Sequence, residues 1–231
     1  MHFAHSAEIW ERFPQLAAGA LLADGIRADV DAGPLLAPWL GRARERLAAG
    51  PESELAEIAA WRRAYGQMGL KPTQYRSAAE ALLRRFRRDG ELPRLHPLVD
   101  LGNAVSLAFA VPVAVFDLAF VSGSLEVRHA RGDEQHLAWS GEIESPEPGE
   151  VIFADAADHA HARRWTFRQS RRSTVTATTG RALLVAEALH PSAAADVRAV
   201  TGALAEGLAA LWGAPVRQTI LTASAPRLDL S

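Results

Sequence analysis

Five groups of residues in this 231-residue chain have types and spacings suited to chemistry. Asp100 and Asn103 stand three apart at the head of an apolar stretch. On a helix they share a face, setting an acceptor beside an amide that both donates and accepts; the same amide is also suited to bonding its own helix backbone. Glu187 interrupts the apolar run Leu183-Leu184-Val185-Ala186-Glu187-Ala188. A carboxylate there either has a buried partner or takes the outward-facing position that a strand's period of two permits. Arg164, Trp165, Phe167 and Arg168 interleave guanidinium groups with aromatic rings, a combination that clamps phosphate and stacks on bases. As a strand, the same segment would put its arginines in water and its aromatics in the core. Lys71 and Arg76, beside Tyr75, form a second phosphate-contact candidate. Finally, His159-Ala160-His161 puts two imidazoles on one strand face near Asp155 and Asp158. No glutamate or third histidine completes a zinc-hydrolase pattern, so no metal is expected, and a metal-dependent hydrolase is the last of three readings.

Several chemistries have nothing to rest on. The absence of cysteine excludes disulfides, thiol nucleophiles and thiolate metal sites, and suits a reducing cytoplasm. There is no Gly-x-Ser-x-Gly, no phosphate-binding glycine loop and no dinucleotide fingerprint, so esterases of the hydrolase fold, nucleotidases and dehydrogenases are set aside and no cofactor is expected. No segment approaches the roughly 18–20 apolar residues of a membrane span, and Met1-His2-Phe3-Ala4-His5 lacks the pattern of a secretory signal. The expectation is a soluble cytoplasmic protein without a membrane partner. A net charge of -2 argues against a general nucleic-acid binder, and no DNA partner is expected. Charge is nevertheless segregated: nine basic residues face three acids between Trp61 and Arg94, and six arginines face none between His161 and Arg181. Such a face suits phosphate, although the run from Arg84 to Arg88 reads better as the solvated side of a helix. Nothing speaks to oligomeric state.

These groups need elements to position them. Residues 16–23 are apolar enough for strand or helix. Residues 35–48 and 55–68 have helical spacing, divided by Gly50-Pro51. Ser77-Ala78-Ala79-Glu80 has the pattern of a capping box, opening a helix that Asp89-Gly90 ends. Residues 98–109 read as a buried helix. Short apolar runs follow at 113–120, 125–129, 151–154, 164–169 and 183–188, separated by turn signals such as Ser122-Gly123 and Pro148-Gly149. Residues 193–211 return to helix, and 218–223 suit a closing strand. The class is therefore α+β: a strand-rich centre of about residues 112–189 with flanking helices, expected as a single domain over 1–231.

Leu98-Val99-Asp100-Leu101-Gly102-Asn103, taken with Pro112-Val113-Ala114-Val115-Phe116-Asp117, resembles the sequence around the amino-acid pocket in the editing domain of the phenylalanyl-tRNA synthetase beta subunit, the B3/B4 module. Trp61-Arg62-Arg63-Ala64-Tyr65, Met68-Gly69-Leu70-Lys71-Pro72, Tyr75-Arg76-Ser77 and Arg163-Arg164-Trp165-Thr166-Phe167-Arg168-Gln169 are similar to free-standing members of that family. The resemblance is strongest over 61–191. It implies mixed sheets with helices around a central amino-acid pocket, and a protein that binds the acceptor end of tRNA and hydrolyses a mischarged amino acid from it. It further implies that Asn103 and Glu187 carry the chemistry: Asn103 holds the α-amino group or the ester, and Glu187 reads a polar group on the substrate. Asp100, Ala114 and Phe116 would line the pocket, while Lys71, Arg76, Arg164, Trp165 and Arg168 would meet the RNA. Ala114 stands where the family has a histidine, and the segment around Trp165 replaces a glycine-rich pocket loop. The second reading therefore keeps the fold without the catalysis, as a tRNA-, RNA- or amino-acid-binding module.

Overall fold

The computed structural model describes residues 1–213 and 216–231. In chain order the elements are β1 (His2–His5), α1 (Ala7–Arg12), β2 (Ala17–Asp24), α2 (Gly33–Ala49), α3 (Ala56–Gln67), α4 (Ala78–Asp89), α5 (Pro97–Phe109), β3 (Val113–Asp117), β4 (Leu125–His129), β5 (His136–Leu137), β6 (Ile143–Glu144), β7 (Val151–Asp155), β8 (Ala160–Arg163), β9 (Arg168–Gln169), β10 (Arg181–Ala188), α6 (Ala193–Trp212), β11 (Val216–Leu221) and β12 (Arg227–Asp229). The class is α+β. One antiparallel sheet has the order β11-β2-β10-β3, and a mixed sheet has the order β12-β1-β4-β7-β8-β9, with β1 and β4 parallel. β5 and β6 form a separate ribbon. Among the described residues no helix is long and apolar enough to cross a membrane.

The four-stranded sheet is covered on both faces, which explains why its central strands read as unbroken apolar runs. Along β10, Ala182, Leu184, Ala186 and Ala188 pack toward α5 and α6. Leu183 and Val185 point the other way, into a layer shared with Phe3, Val127 and Phe153 of the mixed sheet. Period two puts Glu187 on that second face, inside the layer between the sheets.

α5 is buried on most sides and begins where Pro97 takes the first helical position and His96 Nδ1 accepts the Leu98 N–H over 3.2 Å. It crosses α6 at Gly207, where a β-carbon would lie 2.7 Å from Leu101 Cδ1. In α4, Ser77 accepts the Glu80 N–H over 3.3 Å, half of the capping box. The Glu80 carboxylate does not reach back, because Arg62 engages both of its oxygens at 2.6 and 3.1 Å.

Strands from both ends of the chain join the strand-rich centre in the two sheets: β2 and β11 fall where residues 16–23 and 218–223 suited a strand, and β1 and β12 add to them. β1 and β12 are only 4 and 3 residues long, too short to carry a periodic signal. One expectation is corrected: residues 164–169 are not a single strand, since 164–167 form the tight turn between β8 and β9, with Arg164 at φ 48° and Trp165 at φ 58° in the left-handed region, and only Arg168–Gln169 is strand.

Candidate functional site

The site is built around Glu187, which is 2% exposed. An isolated carboxylate at that depth would be costly. Here the Trp165 Nε1–H donates to Oε1 over 2.8 Å, and His5 Nε2 lies 2.6 Å from the same oxygen. Oε2 has no protein partner among the described residues. Glu187 lines a cavity of about 60 Å³ together with Ala114 and Phe116 of β3, Phe153, Trp165 and Arg168.

The turn that delivers Trp165 is held by Glu150. Its Oε1 accepts from Arg163 Nε and from the Arg164 backbone N–H, each at 3.0 Å, and its Oε2 accepts from Arg163 Nη2 at 2.9 Å. The Trp165 backbone N–H reaches Val151 O at 2.7 Å. These bonds hold two successive non-glycine residues in a conformation that L-residues rarely adopt. The indole then meets Trp61 and Phe13 edge-on, at centroid distances of 5.0 and 4.9 Å. This corrects the expectation that Trp165 faces RNA: it is 0% exposed, so no base can stack on it.

Asn103 does not share this cavity. It is half-buried on α5, makes no side-chain hydrogen bond among the described residues, and lines a larger cavity of about 460 Å³. Val113 and Gln169 line both cavities, which therefore adjoin. Asp100 lies in neither. Its Oδ1 accepts the Leu95 N–H over 3.0 Å and steadies the approach to α5, which corrects its expected place in the amino-acid pocket.

The basic candidates separate. Arg164 lies over the Tyr75 ring at 4.6 Å and is largely buried. Arg76 Nε is 3.4 Å from Glu80, and Arg168 Nη1 is 3.5 Å from Glu144 while its side chain lines the smaller cavity. Lys71 is exposed and makes no ion pair among the described residues. Along α4, Arg84 and Arg87 engage Glu52, and Arg85 and Arg88 engage Asp89, as befits the solvated side of a helix.

His159 and His161 do converge with Asp155, each with a ring nitrogen 3.1 Å from Oδ2. Asp155 also accepts backbone N–H groups from Ser122, Ala157 and His159, and the other ring nitrogen of His161 meets Ser173 Oγ at 2.8 Å. Burial opposes ionisation of Asp155, but the bonds from His161, His159 and Ser122 outweigh it and hold its carboxyl well below the usual carboxylate range. Burial also lowers the pKa of His161, against the pull of Asp155. These bonds form a network that ties β7 to β8, and they bring ligand atoms of Asp155, His159 and His161 within 4.8 Å of one another.

Sequence reasoning missed His5. It lies 182 residues from Glu187 and sits in Phe3-Ala4-His5, a run with no chemical signature. It also missed His96, Trp139 and Gln169, which line the cavities from loops and a two-residue strand.

Residues 60–203 match the B3/4 domain, and the chain belongs to that family. A stretch of 73 residues is 34% identical to the phenylalanine--tRNA ligase beta subunit of Cereibacter sphaeroides, covering 32% of this chain and 9% of that protein. Among solved structures, an N-terminal fragment of the phenylalanyl-tRNA synthetase beta subunit from Pyrococcus horikoshii aligns with a TM-score of 0.49 at 9% identity, over 93% of this chain and 49% of the fragment. Asn103, Ala114, Trp165 and Glu187 fall within the matched region, and His5 falls outside it.

Proposed function

We propose that this chain acts as one unit, in the cytoplasm, to bind aminoacylated tRNA and hydrolyse the ester of a wrongly attached amino acid. The observation that carries the reading is Glu187: a buried carboxylate with one oxygen anchored by Trp165 and His5 and the other left without a partner beside a cavity. The α-ammonium group of an aminoacyl ester, or a donor on its side chain, completes that carboxylate. Kinship to a family with a tRNA synthetase relative supports RNA as the carrier.

In this mechanism Glu187 fixes the amino acid, and the ester lies toward the junction of the two cavities at Val113 and Gln169. Water adds to the ester carbonyl, the bond to the ribose oxygen breaks, and that oxygen leaves with a proton. Ala114 supplies no base, so the reaction relies on the activated ester, a held water and the neighbouring ribose hydroxyl. Asn103 reaches the substrate from the nucleoside side rather than from the amino-acid side. Arg168, at the cavity, with Arg76 and Lys71 farther out, meets phosphate.

The second reading, a binding module without chemistry, is favoured by Ala114 alone. A panel of correctly and wrongly charged tRNAs, offered to the purified protein and to Glu187→Ala, decides between them. Selective release of one amino acid, lost in the variant, supports the deacylase. Salt-sensitive tRNA binding without release supports the module.

A further inference from the structure

The cluster at the turn between β7 and β8 has the donors that a divalent transition-metal ion takes, two imidazoles and one carboxylate. His159 Nδ1 and His161 Nε2 each lie 3.1 Å from Asp155 Oδ2, and one ligand atom from each residue falls within 4.8 Å of the other two. Zinc bonds of about 2.0–2.1 Å at tetrahedral angles set neighbouring ligand atoms about 3.3–3.4 Å apart. Both imidazoles therefore already stand close to the spacing from Oδ2 that a shared ion requires. Asp155, at the end of β7, takes the place of the glutamate or third histidine that the segment lacks.

The surrounding fold holds these ligands in place. Asp155 Oδ1 accepts the Ala157 and His159 backbone N–H groups, each at 2.9 Å, which leaves Oδ2 to the two rings. The Asp155 N–H donates to His159 O over 3.0 Å and closes the turn that joins the two residues. His161 Nδ1 lies 2.8 Å from Ser173 Oγ, an outer partner of the kind that orients a metal-bound imidazole. The Asp155 and His161 side chains are fully buried, while that of His159 is 21% exposed and opens the site to solvent. Hydrogen bonding alone crowds Oδ2. A carboxylate oxygen has about two lone-pair sites, and the Ser122 N–H takes one of them at 2.9 Å. The two imidazoles then compete for the other, whereas a single ion satisfies both rings and the oxygen at once.

We propose that Asp155, His159 and His161 bind one divalent transition-metal ion, zinc being the ion this donor set suits, with water in the fourth position. None of the three residues lines the Glu187 cavity or the one that adjoins it, so the ion acts on the fold and not on the ester. It clamps the β7–β8 hairpin, whose far end, at Val151 and Arg163, supports the Trp165 turn.

The test uses the full chain, freed of any histidine tag and stripped of metal, titrated with zinc chloride by calorimetry. Wild type, His159→Ala and His129→Ala are compared, because His129 pairs with Glu8 and lies outside this cluster. Equimolar zinc binding is the expected result, unchanged in His129→Ala. In His159→Ala the affinity should fall at least about 100-fold, since loss of an outer partner alone costs about 10–100-fold. Zinc should also raise the melting temperature of the wild type and leave that of His159→Ala unmoved. Absence of saturable binding, or equal affinity in wild type and His159→Ala, overturns the proposal. X-ray absorption by the zinc-loaded wild type is a check that needs no variant. Scattering from two imidazoles supports the site, and a shell with fewer than two contradicts it.

Discussion

The Trp165 Nε1–H donates to Glu187 Oε1 over 2.8 Å, across the layer between the two sheets. The indole thereby anchors one oxygen of a buried carboxylate from a turn that is itself held in the left-handed region by Glu150. Trp165→Phe keeps an aromatic ring and removes the donor. A hydrogen bond to a charged group contributes about 1.5–3 kcal/mol, and urea unfolding should show a loss of that order. A change below about 0.5 kcal/mol, the range of an ordinary surface substitution, would mean that the indole does not hold Glu187.

His5 is the other anchor, at 2.6 Å. His5→Ala leaves Glu187 with a single donor and opens space around it. The expected outcome is slower ester hydrolysis with tRNA affinity retained, read by separating kcat from KM, because His5 touches the carboxylate and lines neither cavity. A rise in KM with kcat unchanged would point to a role in RNA binding instead.

Acid should destabilise the protein partly through Glu134. Burial raises the pKa of this carboxyl, but the Arg131 and Gly132 backbone N–H groups and the Arg128 guanidinium more than offset that and bring it from 4.5 down to about 2. A depressed folded-state pKa adds stability above the unfolded value and loses it as the pH falls toward the folded one. At 1.36 kcal/mol per pKa unit this amounts to about 3 kcal/mol near neutral pH. The stability gap between wild type and Glu134→Gln should therefore shrink steadily from pH 4.5 to pH 2. A gap independent of pH over that window would contradict the assignment.

Gly207 lets α6 approach α5, the helix that carries Asn103. A β-carbon there meets the fully buried Leu101 side chain. Overpacking of this kind costs about 1–3 kcal/mol, so Gly207→Ala should lower the melting temperature by several degrees. A melting temperature equal to or above that of the wild type would show that α5 can yield without loss.

Much of the fold was legible where periodicity was long. α2 to α6 follow from helical spacing, and β10 from an unbroken apolar run that the sheet buries on both faces. β1 and β12 were too short to show a period, and the β8–β9 turn lacks the glycine that usually marks a left-handed position, because Glu150 supplies the restraint from elsewhere in the chain. At the site, Glu187 stood out because a carboxylate in an apolar run needs a partner. Those partners, His5 and Trp165, come from separate segments and are brought together only by packing. Asp100 and Asn103 were grouped with Glu187 by resemblance, whereas α5 places Asn103 in the adjoining cavity and gives Asp100 to the loop before it.

The most direct measurement is single-turnover deacylation of the mischarged tRNA by wild type and by Glu187→Gln, with the tRNA dissociation constant measured for both. Glu187→Gln nearly preserves the shape of the side chain and removes its charge. Loss of deacylation by at least about tenfold, equivalent to 1.36 kcal/mol in the barrier, with tRNA affinity little changed, is the expected result. Equal rates in the two proteins would contradict the claim that this buried carboxylate holds the substrate.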